Sequence, residues 1–249
     1  MYKRAMARDA RELHGAWTRF QRHDFPAPAV DLAPFVQRYW RVTWDYATPY
    51  RQLVVPYPNV HLTFRDGTAE IHGVASGHTW KVLAGKGGVV GVAFRPGCFR
   101  PFLADSVAAI TDRDLPASAV FGDHVPAVGD VPGVERFLRA HLPAPDPVAA
   151  RMADAVALVA ADRTIGRVDE LAARLGTTVR TLQRLFAEYV GIGPKWVIRR
   201  YRLREVTERM TTTDLASIAA ELGYADQAHL TRDFTAMFGE SPTYHRARY

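Results

Sequence analysis

The chain has 249 residues, a hydrophobic share of 48% and a formal net charge of +6. It holds no run of eighteen apolar residues, so no transmembrane helix is expected. Its single cysteine, Cys98, leaves no internal disulfide and no cysteine-rich zinc site.

The first segment, MYKRAMARDARELHGAW, is charged throughout and lacks the apolar centre of a signal peptide, so a cytoplasmic protein is expected. Short alternating or β-branched runs follow: RQLVVPYP, VHLTF, TAEIHGV, TWKVLA and GGVVGVAF. Turn residues separate them, and RDGT at 65–68 predicts a hairpin turn. Strands at this spacing predict a small barrel or sandwich. Trp40, Trp44, Tyr46, Tyr57, Phe64 and Trp80 either fill its core or line an apolar effector pocket, and both readings stay open. His61, His72, His78 and Glu70 invite a metal reading, but there is no His-x-His pair, so no metal and no cofactor is expected.

GVAFRPGCFRPFLA (91–104) ends the strand-rich part. It reads as a strand, a Pro96-Gly97 turn and a helix start near Pro101. The arginines are expected to pair with acids such as Asp105, Asp112 or Asp114. Arg95 and Arg100 could instead activate Cys98 as a redox switch, but a bracing turn with a passenger thiol is the favoured reading. Helical patterns follow to about residue 142. LPAPDPVAA (142–150) reads as a linker that ends at a helix start, with Asp146 as N-cap and Pro147 at the first helical position. The domains expected are 1–142, β-rich and regulatory, a linker at 143–147, and an all-helical 148–249.

The helical part repeats itself. Leu182, Arg184, Phe186, Gly191, Pro194 and Trp196 fall 48 positions before Leu230, Arg232, Phe234, Gly239, Pro242 and Tyr244. Each copy reads as a short helix, a glycine turn, a longer helix and a Pro-initiated helix, which is a helix-turn-helix frame. Gly176 suits the first turn, Thr177 or Thr178 the cap after it. Thr213 or Asp214, and then Asp226, suit the caps of the second copy. In the first copy Leu182, Leu185, Phe186 and Tyr189 form the buried stripe, leaving Arg180, Gln183 and Arg184 outside. In the second Leu230, Phe234 and Phe238 are buried, leaving Gln227, Ala228, His229, Thr231 and Arg232 outside. Arg and Gln there can read guanine and adenine edges in the major groove. A solvated polar face explains one such helix equally well, but two copies in the same frame favour DNA. A single helix from about Pro194 to Met210 spans about 25 Å, a spacer suited to two successive major grooves. Thr178, Lys195, Arg199 and Arg200 are the expected phosphate contacts.

LAARLGTTVRTLQRLFAEYVGIGPKWVIRRYRL together with DLASIAAELGYADQAHLTRDFTAMFGESPTYHR resembles the DNA-binding module of the AraC/XylS family of bacterial transcription regulators. The likeness covers about residues 147–249. Ala228 stands where the family signature usually has serine. The resemblance implies two helix-turn-helix units joined by a long helix, and the same base-reading positions. The echoes APFVQRYWRVTW, VVGVAFRPGCFRPFL and ITDRDLPASAVFG resemble, more weakly, an N-terminal domain found before this module. That implies effector binding or dimerisation there. The expectation is an α+β chain with a barrel-like β-rich domain, a sequence-specific regulator of transcription and not an enzyme. Its expected partners are double-stranded DNA, a small-molecule effector, RNA polymerase and a second copy of the chain, with no membrane. A DNA-repair regulator with a four-cysteine zinc domain is disfavoured by the lone cysteine. A protein-interaction module that no longer reads sequence is the other alternative.

Overall fold

The structure, a computed structural model, describes residues 10–122, 125 and 129–248. Six strands make one antiparallel sheet: β1 (Gln21–Asp24), β2 (Val36–Val54), β3 (His61–Arg65), β4 (Thr68–His72), β5 (Thr79–Phe94) and β6 (Asp114–Pro116). Their order is β1-β2-β5-β3-β4-β6, with every neighbour antiparallel. The barrel-like expectation thus takes the form of an open sheet with β1 and β6 at its edges. The RDGT turn forms as expected. Asp66 and Gly67 both have positive φ, 49° and 78°, as a tight two-residue hairpin requires.

The long β2–β5 pair carries the sheet, and its glycines have a packing purpose. Trp44 pairs with Gly87 and Trp40 with Gly91 across the strands. A Cβ at Gly91 would meet the Trp40 indole at 2.1 Å, and one at Gly87 would meet the Trp44 ring at 2.5 Å. Both indoles therefore lie flat on bare backbone. Gly91→Ala should lower stability by about 1–3 kcal/mol, the usual cost of overpacking. Urea denaturation checks this, and a cost within experimental error would show that Trp40 swings away freely.

Nine α-helices follow: α1 (Ser118–Phe121), α2 (Val131–Ala140), α3 (Pro147–Ala161), α4 (Val168–Arg174), α5 (Val179–Leu185), α6 (Pro194–Arg209), α7 (Leu215–Glu221), α8 (Gln227–Phe238) and α9 (Pro242–Arg246), counted among the described residues. Asp146 caps α3, accepting from the Val148 and Ala149 amides. Of the helical patterns read after Gly97, FRPFLADSVAAI gives only 3-10 turns, Arg100–Phe102 and Val107–Ile110, whereas the later one forms α2. None of the helices among the described residues is long and apolar enough to cross a membrane.

One hydrophobic core runs from Leu32 in the sheet part to Ile198 in α6, across the expected linker. The turn at Pro96-Gly97 belongs to this joint. Gly97 has φ 89°, and a Cβ there would lie 2.9 Å from Met152 Cβ. The arginines beside it do not pair with Asp105, Asp112 or Asp114. Arg95 meets Asp154 at 3.3 Å and Arg100 meets Glu188 at 2.6 Å, both in the helical half. Cys98 is buried against Ala149 and Ala153, and burial pushes its thiol up to about 11. A thiol held protonated this way is a poor nucleophile.

Candidate nucleic-acid interface

Each helix-turn-helix is built by local chemistry. In the first, the Glu170 carboxylate accepts from the Gly166 and Arg167 amides and closes the start of α4. Leu171 and Ala172 bury its inner face. Gly176, with φ 61°, turns the chain, and Thr178 accepts the Thr181 amide to start α5. In the second, Asp214 caps α7 through the Ala216 and Ser217 amides. Gly223 turns at φ 72°, and Asp226 accepts the His229 amide to start α8. The same order of cap, small buried residue, glycine and cap occurs twice.

The outer faces differ in how far they converge. At 100° per residue Arg180, Gln183 and Arg184 share an arc of about 100° on α5, and all three are exposed. Leu182 opposite them is fully buried. On α8 Gln227, Ala228, Thr231 and Arg232 share an arc of about 140°. Thr231 is half-buried and the others are exposed. His229 departs from this face. It is exposed, but its ring packs edge-on against Tyr224 at 5.2 Å. Beyond Leu185 α5 widens into a π-helical turn, Phe186–Val190, which ends at Gly191.

The connecting helix α6 has 16 residues and spans about 24 Å. Its arginines are mostly structural, which corrects the expected phosphate contacts. Arg200 is 2% exposed, donates from Nε to the Pro56 carbonyl at 2.6 Å and lies 4.0 Å over the Tyr57 ring. A phosphate of the DNA backbone cannot reach a side chain placed this deep. Arg199 pairs with Asp233 on α8 at 2.6 Å and also donates to the Asp233 carbonyl. Tyr224 donates to the same carboxylate at 2.8 Å. Burial and this hydrogen bond hold its phenol above the ordinary tyrosine value. Arg202 donates to the Gly166 carbonyl, and Arg204 pairs with Glu208. The Arg199–Asp233–Tyr224 cluster fixes α8 against α6. Sequence reasoning missed it because Asp233 lies 34 residues from Arg199.

By contrast, no ion-pair partner among the described residues holds Arg180, Arg184, Lys195 or Arg232, and Lys195 is exposed. Thr178 is exposed as well, with its hydroxyl engaged in the cap. The sheet packs elsewhere on the helical half: Trp196 donates to the Ser76 carbonyl, and His78 lies against Gly239. Both outer faces stay open with the sheet docked.

Of the six aromatic residues that could line an effector pocket, Tyr57 lies beneath Arg200 and the other five are not brought together. Trp44 and Tyr46 pack with Tyr50 and Leu83 in a separate cluster. Trp40 lies on Gly91, Phe64 sits in the main core, and Trp80 is 38% exposed beneath Arg51. The histidines do not converge either. His61, drawn down to about 4 by burial, accepts from Trp40 Nε1, while His72 sits between Thr63 and Asp114. Among the described residues no three His, Cys, Asp or Glu side chains are placed to hold a metal.

Residues 171–248 match a helix-turn-helix domain family, and residues 24–116 match a domain family of unknown function. No curated protein matches the chain. Among solved structures, a transcriptional regulator with an AraC-type DNA-binding domain from Chromobacterium violaceum is 26% identical, over 38% of this chain and 87% of its own, at a TM-score of 0.35. The C-terminal domain of AraT, a response regulator from Geobacillus stearothermophilus, is 21% identical over 41% of this chain and 84% of its own, at 0.35. ToxT from Vibrio cholerae is 11% identical over 92% of this chain and 98% of its own, at 0.43. Overlaps this loose transfer neither a ligand nor a partner.

Proposed function

We propose, from a C-terminal part that matches a helix-turn-helix domain family and resembles the AraC type, a one-component transcription regulator that reads two successive major grooves. The carrying observation is the pair of exposed faces, Arg180–Gln183–Arg184 and Gln227–Ala228–Thr231–Arg232, each in its own helix-turn-helix frame. Their guanidinium and amide groups have the donors that base edges require. Among the described residues no carboxylate pairs with the cations on them, whereas most arginines of α6 are occupied inside the protein. Lys195 and Thr178 are the remaining backbone contacts. In this reading 148–249 binds DNA and 1–142 receives a signal, joined by 143–147.

Selection from random DNA followed by footprinting tests this. Two half-contacts about one helical turn apart, roughly 34 Å, support it. Sequence-indifferent, salt-sensitive binding would instead favour a module that no longer reads sequence. Arg184→Ala should weaken specific binding by about 1–3 kcal/mol and relax base choice at one position. His229→Ala should relax base choice less, because the ring is turned toward Tyr224. Competition binding across a set of single-base operator variants reads both effects.

A further inference from the structure

Between the sheet and the second helix-turn-helix lies a cavity of about 390 Å³, within the size range of small-molecule sites. Its walls come from both halves of the chain. Leu53, Val55 and Tyr57 lead out of β2, Met210 ends α6, and Phe238 ends α8. Arg200, His245 and Arg246 are its basic lining groups, and no carboxylate is among the lining residues. His245 is held by Glu240, and Arg246 reaches the Met210 carbonyl at 3.4 Å.

Arg200 is the unusual member. Its guanidinium is buried, and Nη1 has no hydrogen-bond partner among the described residues. None of the described carboxylates lies within ion-pair distance of it. Glu240, the buried carboxylate that holds the cavity-lining His245, is already bound to Arg248 as well. The Tyr57 ring at 4.0 Å and the Phe238 ring at 5.1 Å offer faces but no countercharge. Burial pulls the Arg200 guanidinium below its ordinary value, with Tyr57 partly restoring it. A buried cation without a countercharge is costly, and the cavity wall to which Arg200 contributes is where a bound anion can supply one.

We propose that this cavity binds a small organic anion, a carboxylate or a phosphate ester with an apolar body, its charge on Arg200 and its body against Leu53, Val55, Met210 and Phe238. This deepens the sensor part of the regulator reading and depends on it for its biological meaning. Both halves supply walls, so the bound anion ties the sheet to α6 and to the C-terminal end of the second recognition helix. Occupancy is thereby coupled to the placement of α8.

Isothermal titration of the full chain with phenylacetate, phenyl phosphate and the neutral phenylacetamide tests the site. One of the two anions is expected to bind at least tenfold more tightly than the amide, and which one does so separates carboxylate from phosphate chemistry. Arg200→Met should erase that preference. Thr211→Trp, at the exposed rim and clear of the Arg200 hydrogen bond, should block binding even if Arg200→Met fails to fold. No binding by any of the three probes, equal binding of amide and anions, or unchanged anion binding in Thr211→Trp overturns the proposal. Specific DNA binding, titrated separately, distinguishes the two ideas. DNA binding without anion binding removes the site alone, and anion binding without specific DNA binding removes the regulator reading alone.

Discussion

Glu240→Ala is expected to destabilise the protein by about 3–5 kcal/mol, the usual cost of leaving buried charge without its partner. Glu240 is 7% exposed, and its carboxylate binds two buried basic side chains, Arg248 and His245. Arg248 donates to Oε2 at 2.7 Å and to Oε1 at 3.2 Å, and His245 Nδ1 lies 2.7 Å from Oε1. Arg248 and His245 are 4% and 6% exposed, so water cannot replace the lost carboxylate. The group also reaches the sheet. Arg248 Nη1 lies 3.4 Å from the Tyr50 hydroxyl, and Tyr50 stacks on Tyr46 at 4.9 Å. Urea denaturation of the variant measures the loss. A cost below about 1 kcal/mol would mean that the group relaxes into solvent when cut.

The same group sets an acid limit. Burial alone would raise the Glu240 carboxyl, but the hydrogen bonds from His245 and Arg248 outweigh it and hold the value below 4.5. A depressed carboxyl contributes stability that is fully present above its unfolded value. That contribution is lost as pH falls through the folded value. Stability should therefore decline below about pH 4.5, and Glu240→Gln should flatten part of that decline. Asp31, Asp114, Asp162, Asp169 and Asp214 are also held low and keep the remainder of the slope in the variant. Parallel acid slopes in the two proteins would remove Glu240 from the explanation.

The helix-turn-helix units were legible because everything that makes them is local. Asp214, Asp226, Gly176 and Gly223 act within four residues of their own positions. The RDGT hairpin was legible for the same reason, but the strand boundaries were not: TWKVLA and GGVVGVAF join in the single strand β5, and β2 begins at Val36, well before RQLVVPYP. The arginines of α6 were not. Arg199, Arg200 and Lys195 look alike in sequence, and only a carbonyl at Pro56, 144 residues away, makes Arg200 an interior group. The aromatic residues misled in a related way. Trp40 and Trp44 need room, and the register that offers them Gly91 and Gly87 is a pairing between strands some 43 to 51 residues apart. The acids that brace FRPGCFRPF were sought nearby and were found at Asp154 and Glu188. What failed was long-range pairing, which composition and spacing do not encode.

Phe186→Ala is expected to cost about 3–5 kcal/mol, and its effect should spread beyond the helical half. Phe186 is fully buried where α5 passes into its π-helical turn. That turn packs against the 3-10 turn Val107–Ile110 of the sheet-bearing half. The joint is close. A Cβ at Gly191 would lie 2.8 Å from Val107, and Thr111 donates to the Gly191 carbonyl at 2.6 Å. The inner face of α5 is thus part of the core that holds the sheet. Cavity formation there should loosen both at once. Four of the five tryptophans lie in the first half, so their fluorescence follows mainly the sheet, while far-UV circular dichroism follows mainly the helices. The two signals should move to lower urea together in Phe186→Ala and remain coincident. Separate transitions, with the tryptophan signal unmoved, would show that the halves fold independently. Coincident transitions would mean that whatever stabilises the sheet also steadies Arg180, Gln183 and Arg184, with no part of it touching DNA.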